Sequence, residues 1–218
     1  EFTHYATPVK NGVVTWSTSF TAAHNKNRLI SFTNETYSDT SYRIGWLNTP
    51  IGEYCQRLVE GESLGSFYGP RFKYVDPDTG KDKFENSIAG SVAEGDWENL
   101  GTAYPIATLG WNNNVKVGNF GVSLSLRSGI GGKVFNAMRA EFENINAIGL
   151  KNIMASWLNQ PYFTGAVTYS SKYLEDATYL KVDNLTLTYD VPVKSRLVKG
   201  ITLSLTGQDL LCLTAYSG

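Results

Sequence analysis

From Leu185 to Asp190 apolar and polar residues alternate without a break: Leu185, Leu187 and Tyr189 fall on one side, Thr186, Thr188 and Asp190 on the other. A period of two belongs to an extended strand with unlike faces. After the turn-forming run Val191 to Gly200 the alternation resumes, with Ile201, Leu203 and Leu205 set against Thr202, Ser204 and Thr206. Two such strands predict a hairpin, within a closing stretch from Tyr173 to Gly218.

The same pattern recurs upstream. Glu1 to Ala6 reads as a short strand, and Thr7 to Gly12 as a turn because of Pro8 and Asn11-Gly12. Val14, Trp16, Phe20 and Ala22 then share one face, against Thr15, Ser17, Ser19 and Thr21. A further hairpin is expected from Ile106 to Val117, a tight turn at Gly118-Asn119, and a return strand in which Phe120, Val122, Leu124 and Leu126 alternate with Gly121, Ser123, Ser125 and Arg127. Hairpins near 1–22, 106–128 and 181–211 are thus separated by long connections near 24–105 and 129–180. Within the first connection, strand-like fragments occur at Arg28 to Phe32, Tyr42 to Leu47 and Ser66 to Val75. In the second, Val134, Ala137, Met138 and Phe142 fall near helical spacing and suggest a short helix from Lys133 to Asn144.

Alternation fits a soluble sandwich, whose apolar face is the core, and equally a membrane barrel, whose apolar face meets lipid. Three features favour the barrel. Connections of a few residues alternate with very long ones, as in outer-membrane barrels. The polar faces carry Thr, Ser, Asn and Gly rather than the Lys and Glu of a solvated sheet, and charged residues are only 18% of the chain. The strands run about ten residues, enough to cross a bilayer at a tilt. Six strands are too few to close a bacterial barrel, so the chain reads as part of something larger.

Charge and composition narrow the function. A net charge of −1 gives no global field for nucleic acid, and residues 35–98 hold an excess of acids. Cys55 and Cys212 form no CxxC or Cys/His cluster, so no zinc site is signalled, and a bridge or two free thiols both remain open. Asp76, Asp78 and Asp82 around Gly80 depart from calcium-loop spacing and read as an Asp-Pro turn. Gly129 to Lys133 lacks the end of a phosphate loop and reads as a hinge. His4 and His24 have no hydrolase neighbours, and the sequons at Asn34 and Asn184 match by composition only. No catalytic set, metal or cofactor is expected. Aromatics divide in two. Trp16, Phe20, Phe120 and Tyr189, with Val122, Leu124, Leu126, Leu185, Leu187, Ile201, Leu203 and Leu205, are expected to face lipid. Trp46, Tyr68, Phe72, Trp97, Trp157 and Tyr162 lie in the long loops, where they either contact substrate or a partner or knit the loops together.

The run Tyr173 to Tyr189 resembles the closing segment of SusC/RagA-type TonB-dependent outer-membrane transporters. Leu205 to Leu211 and Ala215 to Gly218 are similar to the stretches that succeed that segment in the same family. Agreement extends through Trp16 to Phe20 with Asn25 to Asn27, Glu60 to Gly69, Asp76 to Gly80, Asn99 to Gly101, Tyr104-Pro105, and Gly131-Gly132 with Phe135-Asn136. Departures are Lys181 where Arg is usual, Asp209 where Asn is usual, and Cys212 where an aromatic is common. The resemblance implies that residues 1–218 are the C-terminal part of an all-β, antiparallel transmembrane barrel of roughly 22 strands, plugged, with long extracellular loops. It further implies a bacterial outer-membrane importer of glycan or peptide oligomers with a SusD-like surface lipoprotein and the TonB complex as partners. A secreted β-sandwich that binds carbohydrate is the competing reading.

Overall fold

The computed structural model describes residues 1–48, 51–85, 97–143, 148–155 and 167–218. In chain order the strands are β1 (Phe2–Lys10), β2 (Val14–Ala23), β3 (Ser41–Leu47), β4 (Glu53–Val59), β5 (Ser66–Gly69), β6 (Phe72–Val75), β7 (Asp82–Phe84), β8 (Glu98–Thr102), β9 (Ala107–Val117), β10 (Phe120–Ile130) and β11 (Lys133–Phe135). There follow helix α1 (Ala137–Phe142), a 3-10 turn (Ser171–Tyr173), β12 (Leu174–Asp176), β13 (Tyr179–Val191) and β14 (Ile201–Thr214). Two compact units result. One gathers residues 1–25, 105–131 and 177–215, the other 26–104, 132–176 and 216–218.

The first unit is a single antiparallel sheet in the order β1-β2-β9-β10-β13-β14. Its three short connections all lie at one end. Asn11 closes the first, its side-chain oxygen accepting from the amides of Val13 and Val14. The second is the two-residue turn Gly118-Asn119, with Gly118 at φ +57, the left-handed value that a hairpin turn requires and glycine adopts without strain. The third spans residues 192–200.

Register turns the alternation into two uniform faces. Trp16, Val115, Val122, Leu187 and Leu205 form one cross-strand row, and Val117, Phe120, Tyr189 and Leu203 form the next. Every residue expected on the apolar side lies on this face. The reverse face is a ladder of small polar groups. Ser123 and Ser125 donate to Asn114 and Asn112 at 2.7 Å, and the Thr186 and Thr206 hydroxyls meet at 3.1 Å. Its charges, Lys10 apart, are neutralised locally. Lys116 pairs with Asp190 at 2.7 Å, Arg127 with Asp183 at 3.1 Å, and Lys181 with Asp209 at 2.6 Å. The last two pairs use a double irregularity: the register slips at Asp183, and Asp209 takes φ +52 on the facing strand.

Four local expectations need correction. β1 does not end at Ala6 but runs through Pro8 to Lys10, because a register shift between Ala6 and Val9 absorbs the missing proline donor. Residues 28–32 are not a strand, and 66–75 is two strands broken at Pro70. The helix is shorter than residues 133–144. Lys133–Phe135 is a strand paired with β12, and the helix begins after Asn136, whose side chain accepts from the Arg139 amide at 2.9 Å. Residue 144 lies outside the described residues.

The second unit holds a four-stranded sheet, β3-β4-β5-β8, and the small pairs β6-β7 and β11-β12. Cys55, Phe67, Leu100 and Tyr169 form one core cluster, and Ala140, Val167 and Tyr173 form another. Among the described residues every buried apolar side chain belongs to this unit.

Candidate functional site

Two features stand out as sites. The first is the apolar face of the six-stranded sheet. Leu203, Leu205 and Phe120 are 59%, 71% and 65% exposed, and no residue of the six strands enters either core cluster. A shallow hollow of about 360 Å³ lies among Phe120, Val122, Leu187, Tyr189 and Leu205. The indole N–H groups on this face are satisfied in place. Trp111 donates to the Thr18 hydroxyl at 2.9 Å and Trp16 to the Asn113 side-chain oxygen at 3.3 Å.

The second is a hollow of about 300 Å³ in the loop unit, lined by Arg43, Ile51, Glu53, Trp97 and Tyr169 among others. Tyr169 forms its floor because its hydroxyl donates to the Cys55 carbonyl at 2.7 Å, fixing the ring between β4 and the segment that ends in β12. Trp97 and Phe135 pack against the same ring at 5.8 and 5.5 Å. The guanidinium of Arg57 stacks over Trp97 at 5.0 Å and over Tyr68 at 5.7 Å. Burial, and then the carboxylate of Glu62, raise the Tyr68 phenol above its ordinary value. Among the described residues the lining sets one cation, Arg43, and one anion, Glu53, around an aromatic floor, which suits a planar or zwitterionic group, and none of them places a nucleophile beside a base.

The loop aromatics expected to contact ligand divide accordingly. Trp97 lines the hollow, whereas Tyr68 packs under the guanidinium of Arg57, which also lies over Trp97. Phe72 sits instead 5.2 Å from the Lys172 ammonium, and Trp46 stands outside, 54% exposed and edge-on to Tyr54 at 4.9 Å. Trp157 and Tyr162 lie outside the described residues.

The segment that holds this unit together is residues 169–176; sequence reading singled out Tyr173 to Asp176 only through the family resemblance, gave them no role here, and passed over residues 169–172. Ser171 accepts from the Phe72 amide at 2.9 Å, while its own amide donates to the Pro70 carbonyl at 3.1 Å. Lys172 makes a buried ion pair with Asp82 at 2.9 Å. Glu175 accepts from the Ser217 amide and hydroxyl, each at 2.7 Å, and from the fully buried Asn136 at 3.0 Å. Two stretches that carry the family resemblance, around Glu175 and around Ser217, therefore meet in space. The acid-rich turn is a turn. The Asp76 side chain accepts from the Asp78 amide at 2.9 Å and pairs with Lys83, while Asp82 is held by Lys172. Among the described residues no group of His, Cys, Asp and Glu is placed to hold a metal ion. Both cysteines are free, and burial pushes the Cys55 thiol up to about 11.

No family model matches the sequence. Two proteins of Formosa agariphila are similar to it: TonB-dependent receptor P3, 27% identical across 100% of this chain, and TonB-dependent receptor P26, 23% identical across 97%. The chain spans 24% of the length of each. Among solved structures, the RagAB peptide transporter superposes with a TM-score of 0.79 at 17% identity. The RagAB peptide importer in its open-open state superposes with 0.82 at 18%. Each match covers 99% of this chain and 25% of the other. Sequence likeness to TonB-dependent receptors thus extends over the whole chain, and the antiparallel all-β fold is that of the RagAB chains.

Proposed function

We propose that residues 1–218 form a section of wall and the outer loops of a TonB-dependent transporter in a bacterial outer membrane, importing peptide or glycan oligomers without catalysing any reaction on them. The observation that carries this reading is the sheet face of exposed Leu, Val, Phe and Trp, none of which joins a core cluster among the described residues. Each such side chain is worth about 1.5–3 kcal/mol when removed from water. A face built this regularly needs a second phase, and lipid hydrocarbon supplies one. The soluble sandwich loses ground on the same observation, since its core would be this face.

The outer edges of β1 and β14 require further strands, because unpaired backbone groups in hydrocarbon cost several kcal/mol each. A longer polypeptide closing a barrel supplies them. The small polar ladder of Asn112, Asn114, Ser123 and Ser125 then faces the lumen, and the loop unit, with its hollow beside Trp97 and Tyr169, supplies the extracellular loops that meet substrate and a SusD-like surface lipoprotein. The TonB complex engages parts of the polypeptide beyond this segment.

The test is fractionation and uptake. The full-length protein is expected in the outer-membrane fraction, released only by detergent. A deletion strain is expected to lose growth on peptides or on oligosaccharides as sole nutrient, which also separates the two cargo classes. Recovery of the protein in the soluble fraction rules the reading out.

A further inference from the structure

The third short connection of the sheet differs from the other two. Where Asn11 and Gly118-Asn119 close their hairpins tightly, residues 192–200 form a nine-residue excursion, Pro-Val-Lys-Ser-Arg-Leu-Val-Lys-Gly. Its shape is set locally. The Ser195 hydroxyl accepts from the amides of Leu197 and Val198 at 3.2 and 3.3 Å. That small turn leaves Leu197 95% exposed, with Val198 beside it at 42%. Lys194, Arg196 and Lys199 flank this apolar tip, exposed and without a carboxylate partner among the described residues.

The imbalance extends along the whole turn end of the sheet. Lys10, closing β1, adds one further cation there, while Lys116 and Asp190 neutralise each other at 2.7 Å, with the Thr202 hydroxyl also donating to Asp190 at 2.7 Å. Lysine and arginine around an exposed leucine are the composition of a segment that sits in a lipid interface, with the apolar tip among acyl chains and the long cationic stems reaching the phosphates. The apolar strand face runs directly into this turn through Tyr189, Leu203 and Ile201.

We propose that residues 192–200 anchor the turn end of the sheet to anionic phospholipid headgroups, with Leu197 and Val198 inserted at the acyl boundary and Lys194, Arg196 and Lys199 on the phosphates. The inference rests on the apolar face meeting hydrocarbon, which puts this turn at a membrane surface. Each cation near an anionic surface contributes on the order of five-fold in partition, so the three together give about a hundred-fold.

The test uses the full-length protein with a single reporter cysteine. Cys212 is replaced by Ser along with any other accessible cysteine, and a spin label is placed at Leu197→Cys or, as a reference on the strand face, at Leu205→Cys. Label depth is read from collision with oxygen and with a water-soluble nickel chelate. The vesicles are phosphatidylcholine alone or phosphatidylcholine with phosphatidylglycerol. The expected result is a Leu197 label in lipid in the anionic vesicles and in water in the neutral ones. Lys194→Gln, Arg196→Gln and Lys199→Gln together, or 1 M salt, which shortens the screening length to about 3 Å, release it by about a hundred-fold. The Leu205 label stays in hydrocarbon throughout. A Leu197 label in water in both vesicles, with Leu205 in hydrocarbon, overturns the anchor, leaves the barrel standing and gives the turn to a soluble partner. Equal lipid burial in both compositions overturns the role of the headgroup charge. A Leu205 label in water sinks the barrel reading itself.

Discussion

The six-stranded sheet and the loop unit are made from the same chain and treat their apolar residues in opposite ways. The sheet leaves Leu203, Leu205 and Phe120 uncovered and fills its other face with hydroxyls and carboxamides bonded across strands. The loop unit hides Phe67, Leu100, Tyr169 and Tyr173 in clusters of its own, and buries an ion pair and an asparagine beside them. Regular strands need no interior of their own when the surrounding medium accepts an apolar face, whereas long connections in water must build one. Ordered loops here are small folded structures rather than tethers.

The largest effect that can sharpen this contrast lies in the buried pair. The Lys172 and Asp82 side chains are 9% and 5% exposed, and the Lys172 ammonium lies 5.2 and 5.6 Å from the rings of Phe72 and Tyr173. Lys172→Ala leaves the Asp82 carboxylate buried without its ammonium and is expected to cost about 3–5 kcal/mol. Hydrogen exchange should show the loss in β6, β7 and residues 169–176, with protection of β9 and β10 unchanged. If the sheet loses protection equally, the two regions are not energetically separate.

Next comes the apolar face itself. Leu124 lies in the middle row of its strand, paired with Asn113 and Leu185. Leu124→Arg is expected to cost about 2–4 kcal/mol when unfolding is measured in phospholipid vesicles. Ser123→Arg, one residue away on the polar face, should cost roughly 0.5 kcal/mol. Equal costs would mean that both faces meet the same medium, and the contrast would be lost.

The two regions also differ in how much the sequence reveals. The sheet is legible because a period of two assigns every side chain to a face at once. Even the bulged part of β13 stays readable, since Lys181 to Tyr189 keeps its strand character on both sides of Asp183. Pro8 misled, because proline reads as a turn unless a bulge removes the need for its donor. The loop unit is opaque for a different reason. Its core is made by residues far apart, such as Cys55 and Tyr169, joined by a hydrogen bond across 114 positions, and strands of three or four residues carry no measurable period. The 169–176 segment could be flagged only by its resemblance to a family, and what each residue of it does, from the hydroxyl of Ser171 to the carboxylate of Glu175, becomes visible only when Pro70, Asp82 and Ser217 are beside it. The arginine between Trp97 and Tyr68 gave no signal at all.

A smaller effect tests the packing of the loop core. A methyl group on Gly69 would meet the Tyr169 ring at 2.5 Å. The ring cannot swing away while its hydroxyl holds the Cys55 carbonyl. Gly69→Ala is expected to cost about 1–3 kcal/mol by overpacking. Adding Tyr169→Phe, which frees the ring from that tether, should recover part of the loss. No recovery would mean that the hydroxyl does not fix the ring.

The smallest effect concerns a stretch with no regular structure, residues 24–40, in which one carboxylate oxygen gathers residues 31–33 while Leu29 bonds the backbone of Gly61 and Glu62. Glu60 accepts from the amides of Phe32 and Thr33 at 2.8 and 2.9 Å and from the hydroxyls of Thr33 and Ser31 at 2.8 and 3.0 Å. These donors, the Thr33 and Phe32 amides first, hold its pKa down to about 2 from an ordinary 4.5. A depressed carboxylate stabilises the folded form fully above its unfolded pKa, and that contribution is lost as pH falls toward the folded value. The tether should therefore be intact at neutral pH, weaken below 4.5 and be gone near 2. Cleavage by an acid-active protease between Leu29 and Thr33 should rise across that window while the sheet stays protected. At neutral pH Glu60→Gln should reproduce the acid state, so that trypsin cuts after Arg28 faster than in the unaltered protein. If Glu60→Gln leaves cleavage at Arg28 unchanged at neutral pH, the segment is held by something other than this carboxylate, and order in the loop unit does not depend on single polar anchors.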